Sequence, residues 1–305
     1  MKKLLKIATR KSALAMWQAN HVAALLRNAH ADLEIELVPI VTEGDRVIDR
    51  PLSEIGGKGL FLKELEYALI NGEADLAVHS MKDVPAEMTR ELALDVVLPR
   101  ANPFDALLSR GGESFADLRP GCCIGTSSLR RQCQVLSLRP DLKVKDLRGN
   151  VDTRLRKLDE GHYDAIILAC AGLERLGWGE RITEELGLPD WLPAATQGII
   201  GLQCRRIDAE TRSLINPLAD HDAAVVAKAE RAVARVLQAT CQVPLAAYAV
   251  VDGGVVKLTA MLGTPDGGRI LRASASASAA DAVELGEQVA TELVEQGALK
   301  IMAGL

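Results

Sequence analysis

The sequence has no long apolar run and no segment with the features of a signal peptide. Apolar runs such as Ala165–Ala169 are far shorter than the ~20 residues that a membrane-spanning helix needs. The basic N-terminal stretch MKKLLKIATRKSALAMW reaches Arg10 and Lys11 before an adequate hydrophobic region, so it is interpreted as a first strand. These absences predict a cytoplasmic protein with no membrane association.

Metal-binding and disulfide patterns are also missing. The six cysteines include no CxxC pair, and the five histidines form no HExxH motif. Because there is no secretory signal, free thiols are expected rather than a disulfide framework. The stretch GGKG at 56–59 lacks the GxxxxGK[ST] spacing of a phosphate loop, so a flexible surface loop or lid is predicted there. We predict no metal site.

Positive charge is concentrated in one section of an acidic chain. The 305 residues are 48% hydrophobic and 25% charged, which is enough apolar material for two or three packed cores. The net charge of −5 argues against a general affinity for nucleic acid. Between Arg119 and Lys157, however, the sequence contains seven arginines and three lysines but only three aspartates, which gives a local charge of +7.

Two successive sections alternate strand and helix patterns, which predicts two α/β domains with mostly parallel sheets. They are joined near 99–103 and again near 192–198. The predicted strands are 4–8, 34–40, 76–79, 122–125, 144–147 and 164–169, and the predicted helices are 12–29, 60–70, 128–138 and 151–158.

The last section has a different pattern. A helix at 222–237 precedes three strands near 245–251, 255–262 and 269–275, which are separated by tight glycine-rich turns. A final helix is expected at about 280–296. Successive strands on tight turns predict a small α+β domain with an antiparallel sheet.

Three strand ends are followed by small polar residues, a helix start and a cation. They are Thr9 to Ser12, Thr126 to Arg131, and Leu147 to Asn150 with Arg154 beyond. Free backbone NH groups and guanidinium side chains at such points bind anions. Arg130 and Arg131 have no carboxylate near them in the sequence. Three such ends indicate a ligand with several carboxylates or phosphates, although each one alone also fits a plain N-cap with solvated arginines.

Two further segments suggest chemistry. In HSMKDVP, Lys82 and Asp83 follow a buried strand, where open α/β sheets place catalytic groups, although the segment also fits a simple turn. Cys241 lies in a loop between the long helix and the next strand, where a thiol is more available than in the core. Free cysteines are more often inert, so this position alone selects nothing.

Taken in order, these segments resemble the porphobilinogen deaminase family, the transferases that build the linear tetrapyrrole of haem biosynthesis. The resemblance covers nearly the whole chain, and HSMKDVP, GTSSLRRQCQ and LRGNVDTRL in that order are highly specific. It implies two α/β domains, like those of periplasmic binding proteins, around a cleft, with a small α+β third domain. The implied boundaries are 1–98 with about 198–216, then 103–192, then 220–305, so the chain returns to the first domain after Gln197.

The resemblance also implies an activity. Four porphobilinogen molecules are deaminated and condensed head to tail into hydroxymethylbilane on a dipyrromethane cofactor, held by a thioether to Cys241. Asp83 matches the catalytic aspartate, which stabilises positive charge on pyrrole nitrogens. The matched cofactor-binding residues are Ser12, Lys82, Thr126, Ser127, Ser128, Arg130, Arg131 and Arg148. The matched substrate-binding residues are Arg10, Gln18, Lys58, Ser80, Arg148, Arg154, Arg175 and Gln197.

The chain departs from the family pattern at a few positions. Gln238-Ala239-Thr240 stands where Glu-Gly-Gly is common, Thr196 where a glycine is common, and Gln203 where a glutamate is common. Because glycine is conformationally permissive, its loss affects the mobility of the cofactor loop and of a hinge more than the reaction.

Alternative functions remain open on the residues alone. A non-catalytic two-domain protein that binds polycarboxylates would explain the arginines, but not Asp83 or Cys241. An RNA-binding protein would use the cationic section, near which only Trp178 and Trp191 could stack on bases. The family resemblance implies a monomer that binds the small-molecule substrate porphobilinogen, and the net charge argues against a nucleic-acid partner.

Overall fold

The computed structural model describes residues 2–42, 62–240 and 242–305. These residues divide into two compact units. Unit 1 contains 2–42, 62–101 and 199–224, and unit 2 contains 102–198, 225–240 and 242–305. The elements in chain order are β1 (Leu4–Arg10), α1 (Ala13–Ala29), β2 (Glu34–Ile40), α2 (Lys63–Ile70), β3 (Leu76–Ser80), β4 (Leu92–Val97), β5 (Asp105–Ser109), β6 (Cys123–Gly125), α3 (Leu129–Leu138), β7 (Lys143–Lys145), α4 (Val151–Asp159), β8 (Ala165–Ala169), α5 (Cys170–Arg175), β9 (Glu184–Leu186), β10 (Ile200–Arg205), α6 (Ala209–Ile215), α7 (His221–Val236), β11 (Leu245–Asp252), β12 (Val255–Gly263), β13 (Ile270–Ser278), α8 (Ala282–Glu295) and α9 (Ala298–Met302).

Unit 1 is built on a five-stranded sheet in the order β2-β1-β3-β10-β4. β1 pairs in parallel with β2 and β3, whereas β10 pairs antiparallel with β3 and β4. Successive side chains of β1 point to opposite faces, so Leu5 and Ile7 pack with one hydrophobic cluster and Ala8 with another. Both faces of this sheet are therefore covered.

Unit 2 contains a second five-stranded sheet with the same arrangement, in the order β7-β6-β8-β5-β9. β6 pairs in parallel with β7 and β8, and β5 is antiparallel to both of its neighbours. On β8, Ile167 packs with Val135 and Trp191, whereas Ile166 packs with Leu155 on the opposite face.

A three-stranded antiparallel sheet, β11-β12-β13, forms the other part of unit 2, and α8 packs against it. The helices α7 and α8 approach closely at Gly286, where any side chain would collide with the carbonyl of Ala229. Glycine is therefore required at this crossing.

The predicted fold class, two α/β sheets with a small antiparallel α+β part, is confirmed. The expectation of mostly parallel sheets is wrong, because each five-stranded sheet has two parallel and two antiparallel strand pairs. The antiparallel strands β5 and β10 enter their sheets from distant parts of the chain, which local periodicity does not reveal. Unit 2 contains both the second sheet and the antiparallel sheet, so its division into two domains stays a prediction.

The cysteines of the described ranges are free thiols, as expected. They are Cys122, Cys123, Cys133, Cys170 and Cys204. None of the helices described here is both long and apolar enough to span a membrane. The same ranges contain no group of three or more His, Cys, Asp or Glu side chains placed to hold a metal ion.

Candidate functional site

The predicted site residues of unit 1 lie at one edge of its sheet. β1 and β3 are parallel neighbours, so their carboxyl ends reach the same edge. Arg10 is the last residue of β1, and Ser12 caps α1 by accepting a 3.3 Å hydrogen bond from the amide of Ala15. β3 ends at Ser80 and continues into a 3-10 turn, Met81–Asp83.

At this edge, Asp83 is exposed and Lys82 is half-buried. The carboxylate of Asp83 is thus accessible to a ligand. Gln18 is buried, and its Nε2 donates to Ser80 Oγ at 2.9 Å. This bond joins α1 to the end of β3 and orients the chain that leads to Asp83.

The edge of the second sheet is held together by its short polar side chains. Ser127 Oγ donates to Leu147 O at 2.9 Å and accepts from Leu147 N at 3.1 Å, which joins the loops after β6 and β7. Thr126 Oγ1 accepts from Ser128 N at 3.2 Å, and Ser128 Oγ caps α3 by accepting from Arg131 N at 3.4 Å. These hydroxyls therefore shape the start of α3.

Arg130 and Arg131 are buried, with Asp105 between them. Arg130 Nη1 and Arg131 Nη2 each lie 2.7 Å from an oxygen of this carboxylate. Burial alone would raise the pKa of Asp105, and the charges of the two guanidinium groups outweigh it and hold that pKa below its ordinary value. Asp105 is a residue of this edge that the sequence reasoning missed.

Topology explains how Asp105 reaches this edge. It is the first residue of β5, and it lies opposite Ala169, the last residue of β8. Because β5 is antiparallel, its beginning lies where the parallel strands end. A charged residue that opens an apolar strand is the only sequence signal for this position.

Arg148 has an unsatisfied buried nitrogen. Its side chain follows β7, and Nη1 is buried without a hydrogen-bond partner among the described residues. The next residue, Gly149, has φ +111° and is crowded by Thr153, so a side chain there would be strained. Its carbonyl accepts a 2.7 Å hydrogen bond from Arg154 Nε. The loop thus places two arginines at the start of α4.

Arg175 and Gln197 lie beside the segments that connect the two units. Arg175 Nη2 donates to Gly198 O at 2.7 Å, and burial lowers the pKa of this half-buried guanidinium to about 10, so it stays cationic at neutral pH. Gln197 is buried, and its Nε2 donates to Pro103 O at 2.7 Å.

Glu230 on α7 is a second residue that the sequence reasoning missed. It is fully buried, and it accepts hydrogen bonds from the amides of Thr196 and, at 2.7 Å, Ala249. Thr196 has φ +60°, a conformation that favours glycine. The resemblance described above implies a glycine at this position. Nothing local in the sequence points to this contact.

Lys58 and Cys241, together with the stretch 56–59, lie outside the described residues. The roles of all the predicted site residues stay predictions. The structure brings Arg10, Ser12, Gln18, Ser80, Lys82 and Asp83 together in unit 1, and Thr126, Ser127, Ser128, Arg130, Arg131 and Arg148 in unit 2.

Comparison with solved structures finds matches of low sequence identity. A double mutant of the BvgS VFT2 domain from Bordetella pertussis is 17% identical over 70% of this chain and 85% of that chain, with a TM-score of 0.44. The periplasmic aliphatic sulphonate binding protein SsuA from Escherichia coli is 16% identical over 78% of this chain and 71% of that chain, with a TM-score of 0.42.

Comparison with family models gives a direct assignment. The model described as "Porphobilinogen deaminase, dipyromethane cofactor binding domain" matches residues 5–213. The model described as "Porphobilinogen deaminase, C-terminal domain" matches residues 224–295. The two matches follow one another along the chain, and the first contains the residues described above at the edges of both five-stranded sheets. The chain therefore belongs to the porphobilinogen deaminase family.

Proposed function

We propose that the side chains described above, at one edge of each five-stranded sheet, perform the family's reaction in this chain. The family condenses porphobilinogen on a dipyrromethane cofactor, so the chain is a transferase that acts on porphobilinogen. The residue roles, the three-domain division, a monomeric state, a cytoplasmic location and the absence of a nucleic-acid partner belong to the proposal.

The main support for the proposed binding roles is positive charge in unit 2 that no nearby carboxylate fully balances. Arg148 Nη1 is buried without an acceptor among the described residues, and Asp105 provides one negative charge against the two of Arg130 and Arg131. Buried cations without full compensation are unfavourable, so this arrangement favours a ligand that brings carboxylates. Dipyrromethane and porphobilinogen carry an acetate and a propionate on each ring, which fits these donors.

The proposed binding residues are divided between cofactor and substrate. Cys241 would hold the dipyrromethane covalently, and the arginines would pair with its carboxylates through charge-assisted hydrogen bonds. The other proposed cofactor contacts are Ser12, Lys82, Thr126, Ser127 and Ser128. The proposed substrate contacts are Arg10, Gln18, Lys58, Ser80, Arg148, Arg154, Arg175 and Gln197.

Asp83 is the proposed catalytic residue. When bound, the dipyrromethane supplies the pyrrole α-carbon to which the first substrate ring is joined. As ammonia leaves the substrate, positive charge develops on its pyrrole nitrogen, and the Asp83 carboxylate offsets that charge and accepts the NH hydrogen bond. The exposed carboxylate is free of hydrogen bonds within the described residues, so a ligand NH does not have to displace a protein donor.

Neither alternative function fits as well. A non-catalytic polycarboxylate-binding protein leaves Asp83 and Cys241 without a role, and the family assignment does not favour it. RNA binding requires accessible cations, whereas Arg130 and Arg131 are buried around Asp105.

Intact-mass spectrometry tests the proposal. Protein produced with substrate available should carry an added mass of two porphobilinogen-derived units, and Cys241→Ser should lack it. Cys123→Ser, which removes a half-buried thiol of β6, is the matched control and should keep the adduct. An unmodified mass in the wild-type chain would contradict the proposal.

A further inference from the structure

The Asp105 carboxylate is saturated with donors. Oδ1 accepts from Arg131 Nε at 3.1 Å, Arg131 Nη2 at 2.7 Å and Gln197 Nε2 at 3.0 Å. Oδ2 lies 2.7 Å from Arg130 Nη1 and 2.8 Å from Trp191 Nε1. The side chain of Asp105 has no exposed surface. The hydrogen bonds of a buried network of this kind strengthen one another, so a change at one member affects the others.

One of these donors belongs to a connecting segment. Gln197 precedes Gly198, where unit 2 gives way to unit 1, and Pro103 follows Asn102, where unit 2 begins. Gln197 Nε2 donates both to Asp105 and to the carbonyl of Pro103. The two connecting segments are therefore joined to each other and to the carboxylate that pairs with both arginines.

The two arginines differ in how much of their donor capacity the protein uses. Arg131 donates to Asp105 through Nε and Nη2 and to Ile167 O through Nη1, at 2.7 Å. Arg130 Nη1 contacts Asp105 and Leu192 O, and its Nε and Nη2 have no acceptor among the described residues. A ligand carboxylate on Arg130 would therefore add to the network without displacing any of it.

We infer that Asp105 and Gln197 form a latch, in which they couple the binding of a ligand carboxylate at Arg130 to the order of both connecting segments. Asp105 is a positioning residue, and Gln197, which is also a proposed substrate contact, acts in the latch through Asp105 and not through the reacting atoms. The latch rests on the proposed function, since the ligand is the pyrrole chain held by Cys241. A carboxylate on Arg130 fixes its guanidinium, which fixes Asp105, Gln197 and then Pro103. If Asp105 served only to neutralise the two arginines, ligand binding would not change the order of the connecting segments.

Hydrogen exchange at two backbone amides provides the readout. The amide of Phe104 donates to Asn102 Oδ1 at 3.0 Å in one connecting segment, and the amide of Gln197 donates to Ala194 O at 3.0 Å in the other. Exchange at these amides should be slower in the wild-type chain with its covalent adduct than in Cys241→Ser without it.

Gln197→Met is the decisive variant, because it keeps the side-chain volume and removes the shared donor. It should assemble the full adduct mass, lose the exchange difference at Phe104, and lower kcat about tenfold, as expected for one lost hydrogen bond to a charged group. Gln134→Met is the matched control. Gln134 is equally buried and donates to Leu192 O at 3.0 Å, but contacts neither Asp105 nor Pro103, so this variant should keep the difference.

Asp105→Asn adds a second measurement. It should reduce the fraction of protein with adduct severalfold, because both arginines lose their common anchor. A Gln197→Met chain that keeps the exchange difference and a normal kcat would overturn the latch, and so would a Gln134→Met chain that loses the difference equally. A wild-type chain without adduct would instead overturn the proposed function and the latch with it.

Discussion

His79 Nε2 lies 2.8 Å from Gln203 Oε1 in the interior of unit 1. Gln203 Nε2 in turn donates to Glu66 Oε1 at 2.8 Å, which fixes the orientation of the amide. Since an amide oxygen only accepts, the hydrogen must lie on His79 Nε2. Gln203 thus accepts a hydrogen bond from a neutral imidazole, and it does so without the buried negative charge that a glutamate would add here.

Stability should depend on pH through His79. Burial lowers the pKa of this histidine, and the hydrogen bond that it donates to Gln203 and the charges of Glu66 and Asp83 only partly oppose that effect. Below about pH 6.5 the unfolded chain therefore binds a proton at this histidine more readily than the folded chain does. As the pH falls, the free energy of unfolding should decrease by up to ~1.4 kcal/mol per pH unit.

Urea unfolding of wild type and His79→Gln between about pH 5 and pH 7 measures this contribution. The variant should show a flatter dependence on pH. His162→Gln, at an exposed position, is the control and should retain the wild-type slope. Identical slopes for His79→Gln and wild type would contradict the assignment.

Gln238→Gly should stabilise the protein. The amide of Gln238 donates to Arg235 O at 3.0 Å and that of Ala239 to Ala234 O at 2.9 Å, which is a Schellman motif at the end of α7. Gln238 has φ +47° at the position that favours glycine. Relief of this strain, less the added entropy of the unfolded chain, should give about 0.5 kcal/mol. Gln238→Ala keeps the strain, so a gain of the same size in denaturant unfolding of that variant would refute the explanation.

Asp83→Asn should keep the fold and lose turnover. The side chain is exposed, so its replacement removes little packing, whereas an amide cannot offset the charge on a pyrrole nitrogen. We expect kcat to fall about 10²-fold or more, with an unchanged unfolding midpoint. Asp95→Asn, at an exposed position of the same unit, is the control for steady-state kinetics. A near-normal kcat in Asp83→Asn would remove this residue from its proposed role.

Arg148→Met should affect binding and stability in opposite directions. The variant removes a buried nitrogen without a partner among the described residues, so the free energy of unfolding should stay level or rise. KM for porphobilinogen should rise about tenfold as a charge-assisted hydrogen bond is lost. Arg139→Met gives the contrast, because Arg139 donates to three backbone carbonyls and to Asp141, and its loss should destabilise. Destabilisation in Arg148→Met would show a structural role instead.

The strand-end residues could be predicted from the sequence because their determinants are local. Apolar periodicity locates β1, β3 and β6, and the polar residues that follow each strand identify its carboxyl end. Parallel pairing then places neighbouring ends at one edge, which groups Arg10 with Asp83. None of these steps requires knowledge of a distant contact.

The residues that the sequence did not reveal act through distant pairing. Asp105 meets Arg130 only because β5 enters the second sheet antiparallel, and Glu230 meets Thr196 across 34 positions of the chain. In the sequence, each appears only as an acidic residue, one at the start of a strand and one within a helix, and such residues are common in any protein. Partner choice is decided by the packed fold, so local patterns cannot supply it.

The position of β10 also sets the order in which a nascent chain can fold. Residues 105–186 contain all five strands of the second sheet, whereas the first sheet lacks β10, between β3 and β4, until residue 205 has been synthesised. The sheet that begins at the N-terminus is therefore completed second. During synthesis, β3 therefore has one unpaired edge and β4 has no strand partner until β10 is made, which leaves both open to pairing with other chains.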